Sequence, residues 1–200
     1  KLEKANDELQ KRTLELVESQ QNLIKVQNES LKNITGFGFA EVQIKQIDIS
    51  NYSFYIKSKS SYNMFDLLIE VIDFDALKKC GYKIVNNKFQ FSETCLKNSS
   101  KIKTMETLNS NSYANLECKF NNAKDAECFI IKIMSKNITT IQYSMIFYDE
   151  NTKKFIHVFK LFEVTRDSNN YILLTESKIN RSEEEWQAKF PYKKDIIIID

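Results

Sequence analysis

The chain has 200 residues, 42% hydrophobic and 28% charged, the composition of a globular protein and not of a disordered one. Its 29 Lys and Arg against 27 Asp and Glu leave a net charge of +2, so no strong field draws in nucleic acid or anionic lipid. With 3 Gly and 1 Pro, collagen-like, Gly-rich and Pro-rich architectures are excluded, and the longest purely aliphatic run, Ile196–Ile199, is far too short for a membrane span.

Composition changes abruptly near residue 34. All 24 aromatics lie beyond residue 33. Residues 1–33 are rich in Leu, Glu, Gln, Lys and Asn, mostly good helix formers. Leu2, Leu9, Leu16 and Leu23 recur every seven residues, the d-like row of a heptad pattern. Three residues later stand Ala5, Arg12, Ser19 and Val26, a poor companion row. A second stripe (Val17, Ile24, Leu31) grows beside the leucines, in the direction a straight helix drifts because 3.6 does not divide seven. Six basic residues balance six acidic ones in this stretch.

An amphipathic helix of this length has little reason to persist alone in water. Self-association as a coiled-coil stalk is the preferred reading, through Leu2, Leu9, Leu16, Leu23, Ile24 and Leu31. Folding back on the rest of the chain is the alternative. At about 1.5 Å per residue the helix reaches about 50 Å, longer than a domain of this size is wide, which favours projection. The chain begins at Lys1 without Met, and an upstream continuation is expected. A membrane anchor or signal there stays open, beside a cytoplasmic-type soluble domain.

Residues 34–200 read as one β-sandwich domain. The stretch 37–49 slips phase twice, as a long strand with bulges or a bend would. Tyr52, Phe54 and Ile56 alternate with polar neighbours. Phe65, Leu67, Ile69 and Val71 form one strand face, while Leu68 and Ile72 make the other face apolar too, the mark of a covered strand. Asp73 or Asp75 caps one short helix that Gly81 ends. Asn86-Asn87 suits a two-residue hairpin. The Ser/Asn/Lys-rich stretch 95–115 predicts a long loop with at most one edge strand. Alternation returns in Phe129–Ile133, Ile141–Phe147 and 155–164, with longer hairpin loops at 148–155 and 166–171. Eight or nine short strands favour a sandwich over a barrel.

Chemical constellations are thin. His157 is the one histidine, flanked in its row by Phe155, Phe159 and Leu161. A satisfied strand histidine is the preferred reading over a catalytic base. Cys80, Cys95, Cys118 and Cys128 contain no Cys-x-x-Cys pair, and one histidine completes no common zinc set. Free thiols are preferred over two disulfides, and no metal or cofactor is expected. Asp73-x-Asp75 lacks the rest of a calcium loop. The run 35–39 with Gly36 and Gly38 lacks the Lys and following helix of a phosphate loop, and close backbone approach or a strand kink explains it better. Only three Arg occur, so nucleic-acid binding is not expected. Six Asn-x-Ser/Thr sequons give weak support for secretion.

Thr35-Gly36, the strand from Phe65 to Asp73, Thr165-Arg166 with Asn169-Asn170-Tyr171, and Trp186 with Ala188 resemble motifs of a group of uncharacterised bacterial proteins. These join a coiled coil, often after membrane spans, to a β-rich domain. Phe37-Gly38 departs from that group's Gly-Asp, and Asn170 replaces its turn glycine. The resemblance implies the two-part architecture, with Trp-x-Ala on a strand, and no activity or catalytic residue.

Three functions follow as expectations. The first is a non-enzymatic interaction protein, homo-oligomeric through its helix and open to a protein partner. The second is a secreted glycan- or small-ligand-binding sandwich presenting Tyr52, Tyr55, Tyr62, Trp186 and Tyr192. The third is an enzyme built on His157.

Overall fold

A computed structural model describes residues 2–35, 38–48, 51–85, 88–120, 127–164, 171–179, 181–190 and 196–198. It is mainly β, with a long N-terminal helix, α1 (Leu2–Thr35). There follow β1 (Ala40–Asp48), β2 (Asn51–Ser58), β3 (Met64–Asp73), α2 (Phe74–Cys80), β4 (Lys83–Val85) and β5 (Lys88–Phe91). Next come α3 (Glu93–Ser99), β6 (Ser100–Leu108), β7 (Tyr113–Asn115), β8 (Glu127–Met134) and β9 (Thr139–Asp149). β10 (Lys154–Val164), β11 (Tyr171–Glu176), α4 (Glu183–Lys189) and β12 (Ile196–Ile198) complete the order.

The frame is an antiparallel six-stranded sheet, ordered β11-β10-β9-β8-β3-β6. A three-stranded sheet, β1-β2-β7, packs on one face. Between them Val42, Ile44, Phe54 and Ile56 of the small sheet meet Leu67, Ile69, Ile131 and Ile133 of the large one. Phe54, Phe120 and Phe129 pack edge-on, with centroids 5.2–5.6 Å apart. On the opposite face, Ile72, Ile130, Tyr143, Met145, Val158 and Phe162 are covered by α2, α3 and α4. The even and odd residues of β3, β8 and β9 therefore serve two different cores, which is why these strands read as apolar on both faces. Met64 and Leu67 share a face although three apart. Between them Asp66, at φ 53°, turns the backbone and shifts the alternation by one.

A third set of strands, β12-β5-β4, joins β12 to β5 in parallel and β5 to β4 antiparallel. The expected hairpin is thus present, Val85 pairing with Lys88, while Asn86-Asn87 lies outside the described residues, as does the loop 166–170. β1 carries the anticipated irregularity, a register shift between Gln46 and Asp48. A side chain at Gly38 would place its Cβ 2.1 Å from Ser60 Oγ, so close approach does explain that glycine; Gly36 is outside the described residues.

Several expectations need correction. The stretch 95–115 is not a long loop. It holds part of α3, then β6, an edge strand pairing with β3 from Ser100 to Leu108, and β7. Three short helices, not one, follow α1 among the described residues. Asp73 caps α2, accepting from Ala76 N at 2.8 Å, and Gly81 ends it at φ 110°. Ser92 caps α3, accepting from Cys95 N at 3.2 Å. Ser182 and Glu185 form a reciprocal capping box on α4 at 3.3 and 3.1 Å. Trp186 and Ala188 thus stand on a helix, not on the strand implied by the resemblance. Cys80 and Cys95 form a disulfide joining the end of α2 to α3, against the preference for free thiols, while Cys118 and Cys128 are free and buried.

Candidate functional site

The helix α1 is the strongest candidate surface. Its 34 residues span about 51 Å at about 1.5 Å each. Among the described residues neither core of the rest of the chain takes a member from it. Leu9, Leu14, Leu16, Val17, Leu23, Ile24, Val26 and Leu31 are 45–70% exposed. The side chain of Leu2 is outside the described residues. Of the six proposed association residues, Leu9, Leu16, Leu23, Ile24 and Leu31 therefore line one exposed helix face and do not cover the head.

The face has an order that the leucine count alone misses. At 3.6 residues per turn, the row Thr13, Gln20, Gln27 runs between the leucine row and the row Val17, Ile24, Leu31. All five charges between residues 13 and 32 (Glu15, Glu18, Lys25, Glu29, Lys32) fall in a sector of roughly 100° on the far side. Hydrophobic spacing is visible in the sequence, and this confinement of charge was the signal overlooked.

The other candidates are placed as follows. Tyr52 and Trp186 are 3% and 4% exposed, so neither is a surface aromatic. Tyr52 packs edge-on against Phe129, and Trp186 stacks with Phe190, which itself stacks on Phe74. Lys160 reaches across Trp186, 5.3 Å from the ring centroid, and pairs with Glu183 at 2.5 Å. Tyr55 and Tyr62 are half-buried and Tyr192 is outside the described residues. The four that are described do not gather into an exposed aromatic platform.

His157 sits where β10 passes beneath the open edge of β1. Among the described residues β1 pairs with one strand, β2, and its other edge lies over β9 and β10. Two side chains replace the missing strand. Gln142 accepts from Val42 N at 2.8 Å and donates to Val42 O at 2.6 Å. His157 Nδ1 accepts from Ile44 N at 3.3 Å. The ring stacks on Phe159, 5.5 Å between centroids, and its Nε2 is buried without a partner among the described residues. Desolvation drives the imidazole down from 6.5 to about 3. A ring whose accepting nitrogen is occupied by a backbone amide, with no Ser, Cys or carboxylate on the other, is arranged to close an edge.

Asp73 and Asp75 are likewise structural in placement. Burial raises the carboxyl of Asp73 above its usual range. Asp75 pairs with Lys78 at 2.8 Å and accepts from Cys128 N at 2.8 Å. Burial first, then the Asp75 charge, pushes the Cys128 thiol up to about 12, and burial also raises Cys118. Both free thiols are therefore protonated at neutral pH. Among the described residues no three His, Cys, Asp or Glu side chains converge as metal ligands would, and no helix is long and apolar enough to cross a membrane. A cavity of about 360 Å³ opens beside the disulfide, lined in part by Tyr82, Gln90 and Phe91, with no convergent charged group except Lys83. Compared with protein-family models, with curated proteins and with solved structures, the chain finds no match.

Proposed function

We propose that the chain is a non-enzymatic interaction protein. α1 associates with copies of itself and holds a β-sandwich head open to a protein partner. The observation that carries this reading is the exposed apolar face of α1, on a helix that leaves the head's cores to other elements. Burying one large apolar side chain stabilises by roughly 1.5–3 kcal/mol, so several such side chains left in water favour association strongly. Among the described residues the two cores of the head take their members from residues 40–190, which supports a head that folds without the helix.

Sedimentation equilibrium of the full chain tests it. At high micromolar concentration the wild type is expected to exceed the 23.5 kDa chain mass. A double variant, Leu16→Asp with Ile24→Asp, is expected to sediment as a monomer with an unchanged β spectrum from the head. A wild type that stays monomeric at every concentration overturns the reading.

A further inference from the structure

The width of the α1 face bears on how many copies meet. A two-stranded coil buries two rows per helix, a and d. Here six exposed apolar residues stand in two rows, Leu9, Leu16 and Leu23 in one and Val17, Ile24 and Leu31 in the other, with Leu16 and Val17 roughly 100° apart around the helix, while Leu14 and Val26 lie outside both rows. Between them runs the uncharged polar row Thr13, Gln20, Gln27. The apolar rows thus flank the face and do not share its centre. Pressed against one partner, such a helix buries its polar row and leaves both apolar rows at the rim. Placed between two neighbours, it offers the leucine row to one and the Val/Ile row to the other.

We infer that α1 assembles into a cyclic bundle of three or four copies of this chain, with the Thr13, Gln20 and Gln27 row at the axis. The inference rests on the self-association proposed above. Two observations choose a copy of the same chain over an unrelated helix. First, the flanking rows differ, and a contact between unlike rows of identical chains is heterologous, which closes into a ring when the helices stand parallel about one axis. Second, a glutamine amide both donates and accepts. Identical Gln20 and Gln27 side chains brought to one level satisfy one another around the axis. The charge pattern agrees. Glu15, Glu18, Lys25, Glu29 and Lys32 stay on the outer sector, so between residues 13 and 32 every copy meets its neighbours through uncharged surface. A ring also points all the helices the same way, gathering the heads at one end.

Native mass spectrometry of the full chain reads the number directly. Three or four times the 23.5 kDa chain mass is expected. Twice that mass overturns the ring while leaving self-association standing, and a single chain mass overturns both. Direction is read with Gln27→Cys under mild oxidation, beside the wild type as control for Cys118 and Cys128. Interchain disulfides in the variant alone are expected, because the ring sets residue 27 of each copy at one level. Their absence overturns the same-direction ring. Gln20→Lys brings like charges together at the axis and is expected to lower the assembly to monomer. Asn22→Lys, in the outer charged sector, is expected to leave the mass unchanged. Equal behaviour of the two variants also overturns the placement of the polar row.

Discussion

His157 spends its accepting nitrogen on the Ile44 amide, and the cost of that arrangement is sensitivity to acid. Protonation would put a hydrogen on Nδ1, against a donor, and a charge on a ring shut off at Nε2. Above pH 6.5 the ring is neutral in the folded and the unfolded chain, and its contribution is fully present. Below 6.5 the unfolded chain takes up a proton that the fold refuses until about pH 3, so stability falls with pH across that window. Between pH 6.5 and 5 the loss is up to about 2 kcal/mol, at roughly 1.4 kcal/mol per pH unit. Urea unfolding at pH 7.5 and 5.0 checks this against His157→Asn, whose amide oxygen still accepts but does not titrate. The wild type is expected to lose more stability on acidification than the variant, and equal losses would remove the histidine from the explanation. The sequence placed His157 on a strand among Phe155, Phe159 and Leu161, and the structure keeps it there. Its partner was not legible, because Ile44 lies 113 residues away and the bond exists only once two sheets have packed.

At the scale of elements, what was readable depended on how much of each face is buried. β2, β3, β8, β9 and β10 follow alternation because packing fixes at least one side of each. β6 was hidden because it is an edge strand. Lys101 and Lys103 share it with the exposed Ile102, and such lysines blunt an edge at the expense of pattern. α3 and α4 are seven residues each, too short for a helical period to emerge. The signal for α4 lay in its cap, Ser182 followed three residues later by Glu185, inside what read as a plain run of acids. The Cys80–Cys95 bridge depended in turn on α3, since no loop reading brings those sulfurs together. Closing a 15-residue separation, it constrains the unfolded chain by about 3 kcal/mol on the chain-entropy account. Denaturant midpoints with and without dithiothreitol are expected to differ by that order, and Cys80→Ser with Cys95→Ser to match the reduced protein. A midpoint indifferent to reductant would mean that α2 and α3 hold their places by packing alone.

For the molecule as a whole, the division between helix and head is a statement about cooperativity. The head buries its apolar groups on both faces of the six-stranded sheet without any from α1. α1 has its intrahelical hydrogen bonds and an i,i+4 pair such as Glu8–Arg12 at 3.2 Å, at an exposed site worth a few tenths of a kcal/mol at most. Under the self-association proposed above, so weakly supported a helix draws its order from its copies, and association follows mass action. Two transitions are therefore expected on heating. One, read as loss of helical ellipticity, moves to higher temperature as protein concentration rises. The other, read in the near-ultraviolet from Trp186 and the tyrosines, all of which lie beyond residue 50, stays fixed. Circular dichroism at 1, 10 and 100 µM separates them. A single transition in both signals, unmoved by concentration, would mean that α1 is stabilised by its own head, and the helix would then have no copy to seek.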